Sequence, residues 1–443
     1  MSDLLTFQTA VVVLLAGLAV VASFRDIRGF AFAWAFVFPI DVVTGVPGWV
    51  FDGLRYAGAA WIVIRVRPDL PEGSRPLLRI LAALLLALAA VRGAMAVVNH
   101  DNPNVRFGLV LALGTVLAYL VILRTTVHRA VIAGYLGGIA FSAAVSLLQS
   151  RGWTGIAPAN LEGNRYPGLS TYNAVFSWHV ATGFIVGCYL VAANARTRNR
   201  TFRLAATVTP LYALGLLTNG AQGGLLGVIA AAVAVTWAGR HRITRALLAR
   251  AALAAAGLVV LVGLAVGVAG VDIPSLNDYD RSFHNEKTRV ESWQRGLEEM
   301  LNHPVTGLSS REYLYDRRYR IVPHFLPLES GAMAGVLGFL VAGALVGYLC
   351  WLLFRGPADR RGQTIAAYGV LASLLINTLT EPQGPFQGVA RAVPLFLIVL
   401  YASVGRPGTP AGATPGPRAA PDRADPGPTS PKPADLDRFS PGG

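Results

Sequence analysis

Apolar stretches of about 20 residues recur from one end of this chain almost to the other. A helix of 20 residues rises about 30 Å, the thickness of a bilayer's hydrocarbon core. Lipid offers the backbone no hydrogen bonds, so only helices or a closed barrel can cross it. A barrel would show short alternating segments instead. The pattern therefore predicts an all-α polytopic membrane protein. Composition agrees: 53% of the 443 residues are hydrophobic and 14% charged, whereas soluble domains run at about 25% charged.

The candidate spans are roughly 7–24, 29–46, 50–66, 77–98, 107–123, 129–149, 172–193, 202–219, 222–239, 247–270, 331–354, 364–381 and 388–405. That gives 13 transmembrane helices, or 12 if two early spans merge. The connections 65–79, 124–129, 196–203, 240–250 and 355–361 are basic. They alternate with basic-poor connections at 100–104, 219–222 and 381–387, so the basic set should be cytoplasmic. The opposite side then receives a shorter loop at 150–171 and a large one at 271–328. The domain organisation expected is membrane helices over 1–270, a large extracytoplasmic catalytic loop over 271–328, and three last helices over 331–405. A Pro-rich tail over 406–443 has too little apolar surface to offset its ordering entropy and is expected to be disordered and cytoplasmic.

A net charge of +14 raises nucleic acid as a partner. Its placement in short loops between spans points to the bilayer instead. The two cysteines, Cys188 and Cys350, lie in apolar spans, which excludes a disulfide framework and a Cys-based zinc site. The first apolar run has no small-residue cleavage site followed by a soluble domain, so it reads as a membrane helix rather than a removed signal.

The interval 271–328 holds most of the chemistry-bearing side chains. Thr288-Arg289-Val290-Glu291 fits a capping box, and Val290, Trp293, Leu297 and Met300 recur at helical spacing. An amphipathic helix over 288–302 is expected, on the membrane surface or across the top of the bundle. His303-Pro304-Val305-Thr306-Gly307 reads as a turn. Arg311, Arg317, Arg318 and Arg320 follow within ten residues, against only Glu312 and Asp316. His324 then stands just before the next span, beside a helix start whose dipole favours anions.

These residues resemble the O-antigen ligase and polymerase superfamily. The likeness is carried by Arg289-x-x-x-Trp293, then Asn302-His303-Pro304-x-x-Gly307, then His324 with Gly335-Val336-Leu337-Gly338. Arg165-Tyr166-Pro167-Gly168 followed by Tyr172-Asn173 is similar to a second element of that family, and Ala221-Gln222-Gly223 stands where a third is often Ser-Arg-Gly. Phe325 replaces the usual Asn, Ser or Gln after the histidine, and Gln222 the usual Arg. The resemblance runs from about Asn160 to Leu400.

The resemblance implies a membrane enzyme with about twelve spans and one large outer loop. It would be a glycosyltransferase moving or polymerising a glycan from a polyprenyl-pyrophosphate-linked donor to an acceptor hydroxyl, at the outer face of a bacterial plasma membrane. A diphosphate leaving group needs charge neutralisation more than an acid. Arginine's planar fork matches phosphate oxygens and keeps its charge, so Arg165, Arg289, Arg311, Arg317, Arg318 and Arg320, with Gln222, are the expected phosphate contacts. The acceptor hydroxyl needs a base near neutral pH, where histidine titrates; His324 is the candidate base, and Arg289 is the other candidate catalytic residue. No cofactor is implied, and no Asp-x-Asp or His/Asp/Glu cluster has metal-ligand spacing.

Each residue also has a plainer role. His324 reads as an interfacial histidine, His303 as a turn residue, Arg289 as a surface ion-pair partner, Arg165 as a solvated loop cation and Trp293 as an interface anchor. His179 is an intramembrane polar group, functional by default or satisfied by an interhelical hydrogen bond. Arg92 and Arg391 lie near span ends, where snorkelling or helix pairing explains them, and Arg391 could face the lipid-phosphate site. A transporter or lipid-linked oligosaccharide flippase is the alternative function. It should carry ionisable or broken-helix sites near the midplane, whereas here ionisable residues concentrate in one loop. A scaffold subunit of an export complex is a third reading.

Overall fold

A computed structural model describes residues 25–157, 166–239, 279–308, 325–357, 362–380 and 388–404. Among them the structure is helical and contains no strand. The helices are α1 (Ile27–Phe36), α2 (Gly48–Arg65), α3 (Arg75–Val98), α4 (Asn102–Ile122), α5 (Thr125–Gln149) and α6 (Asn173–Asn194). They continue with α7 (Arg200–Asn219), α8 (Gln222–Gly239), α9 (Tyr279–Asn302), α10 (Leu326–Arg355), α11 (Gly362–Thr380) and α12 (Val389–Ser403). The expected spans 7–24 and 247–270 and the tail 406–443 lie outside the described residues.

Five described helical stretches are long and apolar enough to cross a bilayer: Glu72–Val98, Asn102–Ile122, Thr125–Gln149, Asn173–Asn194 and Leu326–Arg355. The chain is an all-α, multi-pass membrane protein. Local chemistry sets several helix starts. The Asp26 carboxylate caps α1 through Arg28 N at 3.0 Å, Asp101 caps α4 through Asn104 N, and Asn199 caps α7 through Phe202 N at 2.9 Å. Gly220, at φ 66°, ends α7 in the left-handed conformation that suits glycine.

One expected span is corrected. Residues 29–46 do not form a continuous helix: α1 stops at Phe36 after ten residues, which rise only about 15 Å. Pro39, Gly45 and Pro47 turn the rest into an irregular segment. Its apolar side chains pack in a small cluster with Val145, Ala157 and Leu169. Its backbone is tied to the 150–171 connection, with Asp41 N and Val42 N both donating to Leu169 O at 2.7 and 3.0 Å. α1 packs tightly on α5, where a Cβ at Gly138 would fall 2.1 Å from Phe36 O; small residues allow this backbone approach.

The connections sort into two ends of the bundle. At one end Leu70 N donates to Leu123 O at 3.0 Å, and the Arg124 guanidinium donates to the carbonyls of Val66 and Val63 at 2.6 and 2.7 Å. These belong to the basic connections. At the other end the 37–47 segment meets Leu169. There too Asn219 Nδ2 donates to Asn173 O at 2.8 Å and Asn99 Nδ2 to Thr306 O at 3.1 Å. Among the described residues, the turns at 99–104 and 219–222 and the segments 166–171 and 303–308 therefore share one end.

Candidate functional site

The 303–307 turn is locked into α10. α10 is broken at Ala334 and Gly335, whose backbones leave helical geometry. Leu308 N donates to Ala332 O at 2.7 Å and Val336 N to Pro304 O at 2.8 Å. Gly307 and Gly335 both sit at φ 65°. A Cβ at Gly335 would lie 2.3 Å from Pro304 O, and one at Gly307 2.4 Å from Ala334 N. Only glycine fits where φ is positive and another backbone is this close. The two sequence elements His303-Pro304-x-x-Gly307 and Gly335-x-x-Gly338 are thus the two halves of one lock.

α9 lies against the start of α10. It begins at Tyr279, so Thr288 is inside the helix and not its cap, a correction to the capping-box reading. A local Thr-x-x-Glu pattern does not stop a helix whose preceding turns continue it. Ser292, Gly296, Glu299 and Met300 are buried, while Val290, Trp293 and Leu297 are exposed. The expected apolar stripe therefore faces outward, apart from Met300. Trp293 also meets the Phe325 ring at 6.2 Å, so α9 reaches the residue that follows His324.

His324, Arg165, Arg311, Arg317, Arg318 and Arg320 lie outside the described residues. Arg289 lies on α9, one turn before Trp293. Tyr166 to Leu169, just after Arg165, is seated on α5. Gln149 Nε2 donates to Gly168 O and Gln149 Oε1 accepts from Gly168 N, both at 2.9 Å. Ser146 Oγ donates to Tyr166 O at 2.7 Å. Gln222 is half-buried at the start of α8. The neighbouring turn touches the start of α6 through Asn219 and Asn173, so the second and third sequence elements meet there.

At this same end a cleft of about 530 Å³ opens between the starts of α2, α4, α6 and α12. Arg55, Arg106 and Arg391 line it with Asp41, Asp52, Tyr56 and Tyr172. Arg55 is nearly enclosed. Its guanidinium donates to Asp41 Oδ1 at 2.7 Å, Ile40 O at 2.7 Å, Phe38 O at 3.0 Å and Asp52 Oδ1 at 3.2 Å. Asp41 also accepts from Ser170 Oγ at 3.1 Å. Burial alone would raise the Asp41 carboxyl, but Arg55 and then Arg391 outweigh it and hold it below its ordinary value. Asp41 lies within the expected span 29–46 and Arg55 within the expected span 50–66, so neither stands among the site residues expected from sequence. Arg391, near the start of α12, lines this cleft too.

The other intramembrane groups have partners. His179 Nδ1 and the Tyr135 hydroxyl are 2.6 Å apart, joining α6 to α5. Arg92 pairs with Glu329 of α10 at 3.3 Å and lies over the Phe107 ring at 4.2 Å; it is a buried helix-pairing residue, not a snorkelling one. His303 is a turn residue, its carbonyl accepting from Gly307 N at 3.0 Å. Among the described residues, no group of three His, Cys, Asp or Glu side chains is placed to hold a metal ion.

This end of the bundle carries the lock, the second and third elements and the cleft, and sequence comparison bears on the lock and the third element. Residues 205–343 match the family model for O-antigen ligase. Over these residues the chain is similar to that family. The match covers less than half of the chain and includes α9, the 303–307 turn and the break in α10. The Arg165 element and the cleft residues lie outside it. No curated protein matches the chain.

Proposed function

We propose that this protein transfers or polymerises a glycan from a polyprenyl-pyrophosphate-linked donor onto an acceptor hydroxyl, at the outer face of a bacterial plasma membrane. The observation that carries this reading is the O-antigen ligase match over 205–343, which ends just past the locked break in α10. The superfamily supports a lipid-linked glycan donor and a glycan acceptor. The basic connections at the opposite end make that end the cytoplasmic one, so the loops face outward.

In this reading His324 accepts the acceptor's proton as the hydroxyl attacks the anomeric carbon, and the bond to the diphosphate oxygen breaks. Arg289, Arg165 and members of the Arg311, Arg317, Arg318 and Arg320 run neutralise the departing diphosphate. Gln222 adds an uncharged contact. The lock supports this assignment: it ties α10, the helix that begins two residues after His324, at Ala332 and Val336 to the turn that ends α9. A positioned base is effective only if its backbone is held.

The deciding experiment measures polyprenyl-pyrophosphate-linked glycan in cells that carry His324→Ala, beside a deletion. Build-up of the lipid-linked donor in both, at normal membrane levels of the variant, is expected. Build-up in the deletion alone would move the base elsewhere, and build-up in neither would favour the transporter or flippase alternative.

A further inference from the structure

A second cleft, of about 670 Å³, runs into the basic end of the bundle between α5, α6, α11 and α12. Its walls follow the helices lengthwise. On α5 the lining residues Arg129, Ile132, Ala133 and Leu136 fall at i, i+3, i+4 and i+7, which is one face of a helix. Pro394, Leu397, Ile398 and Tyr401 repeat that spacing on α12. So do the lining positions of α6 over 186–193 and of α11 over 363–370. The space is therefore a channel parallel to the helix axes. α6 lines it from Thr182 to Asn194, a rise of about 18 Å. The hydrocarbon of one leaflet is about 15 Å deep, half of the core's thickness. Tyr135 also lines the channel, its hydroxyl taken up by His179 Nδ1 at 2.6 Å. The walls are mostly apolar, and Arg129, Asn194, Thr201 and Gln363 make the mouth polar. Arg129 is exposed there. Asn194 and Thr201 bracket a connection that carries exposed Arg196, Arg198 and Arg200 and no acidic residue.

We propose that this channel holds an acyl chain of an anionic membrane phospholipid, with the lipid's phosphate at the arginine-bearing mouth. Shape, depth and charge each carry part of the argument. Protein interiors are close-packed, and apolar walls around an empty space forfeit their dispersion contacts. Water does not restore those contacts, since an apolar cavity stays dry. A chain of methylenes does, and in a bilayer such chains already lie along the axis of this channel. At the mouth, guanidinium groups match phosphate oxygens, and basic pockets between membrane helices take anionic headgroups. A lipid with a neutral headgroup would fill the channel but leave Arg129 without an anion. The proposed glycan transfer belongs to the opposite end of the bundle, so the occupant is a lipid of the adjoining leaflet and not a substrate. This binding does not rest on the transferase reading. Because the lipid touches α5, α6, α11 and α12 together, it should stabilise their packing by mass action.

The test is native mass spectrometry of the full chain, purified in detergent, stripped of lipid and titrated with dioleoyl phosphatidylglycerol, dioleoyl phosphatidylcholine or farnesyl phosphate. One phosphatidylglycerol should bind at least tenfold tighter than phosphatidylcholine. Ala133→Trp puts an indole into the channel and should weaken phosphatidylglycerol at least tenfold. Ala133 is exposed, and if its variant still fails to fold, Ala367→Phe on α11 blocks the same channel. Arg129→Gln should cut the preference for phosphatidylglycerol at least threefold and leave phosphatidylcholine within twofold. Val233→Trp, on an exposed face of α8 that does not line the channel, should change neither lipid. Equal binding of the two phospholipids, wild-type binding in the blocked variant, or an unchanged preference in Arg129→Gln overturns the proposal. Tighter binding of farnesyl phosphate than of phosphatidylglycerol also overturns it, and gives the channel to an isoprenyl carrier. Failure of the transferase reading appears separately, as unchanged lipid-linked glycan in the deletion with this binding intact.

Discussion

Two buried arginine–carboxylate pairs sit at the same end of this bundle and are built differently. Arg92–Glu329 is sealed, with side chains 2% and 0% exposed. It joins α3 to α10, with Met333 Sδ at 2.9 Å and Asn104 Oδ1 at 3.5 Å as further contacts. Arg55–Asp41 is 8% and 15% exposed, and both members line a cleft. The sealed pair fastens the helix that follows His324 to the rest of the bundle. The open pair closes an irregular segment over α2 and leaves a polar wall facing space. Equal chemistry thus gives a clamp where the neighbours are apolar side chains, and an open polar wall where they are helix starts.

The largest effect should come from breaking the sealed pair. Glu329→Ala leaves a guanidinium uncompensated in a dry interior and should cost about 3–5 kcal/mol, read as a lower unfolding temperature in detergent. Arg92→Met with Glu329→Met should recover most of that loss, since well-packed apolar residues often match a buried pair. A single variant that melts like wild type would remove the clamp from the comparison.

The open pair should show itself by pH. The folded Asp41 carboxyl lies below its ordinary 3.8, through Arg55 and Arg391 acting against burial. Its contribution is complete above the unfolded value and is lost as pH falls through the lower folded one. As pH falls below the ordinary carboxylate value, Asp41→Asn should flatten the acid limb of the stability profile, after costing about 1–3 kcal/mol at neutral pH. An unchanged acid limb would mean that Asp41 gains nothing from its partners. The smallest effect belongs to Asp52→Asn. Asp52 is 54% exposed, so its pair with Arg55 should contribute less than about 1 kcal/mol, measured by the same melting experiment.

Much of the bundle was legible because hydropathy reports burial in lipid directly. α3, α5, α6 and α8 begin and end within a few residues of the expected spans. The failure at 29–46 has a plain cause: hydropathy counts apolar atoms and does not see that Pro39, Gly45 and Pro47 forbid a continuous helix. That failure hid Asp41, and with it the cleft. For Arg92 the sequence leaves snorkelling and helix pairing both open, because the partner that decides for pairing is 237 residues away, a contact no local pattern encodes. The short glycine motifs were visible as a resemblance, but their reason, one backbone pressed on another, exists only in three dimensions.

The interlocked turn and helix break have a consequence for exchanging parts between relatives. Pro304 to Gly307 and Ala332 to Gly338 are complementary surfaces made of main chain. A chimera that imports a foreign turn at 303–308 but keeps the resident α10 would press mismatched peptides together. Loop and helix must be inherited as one cassette.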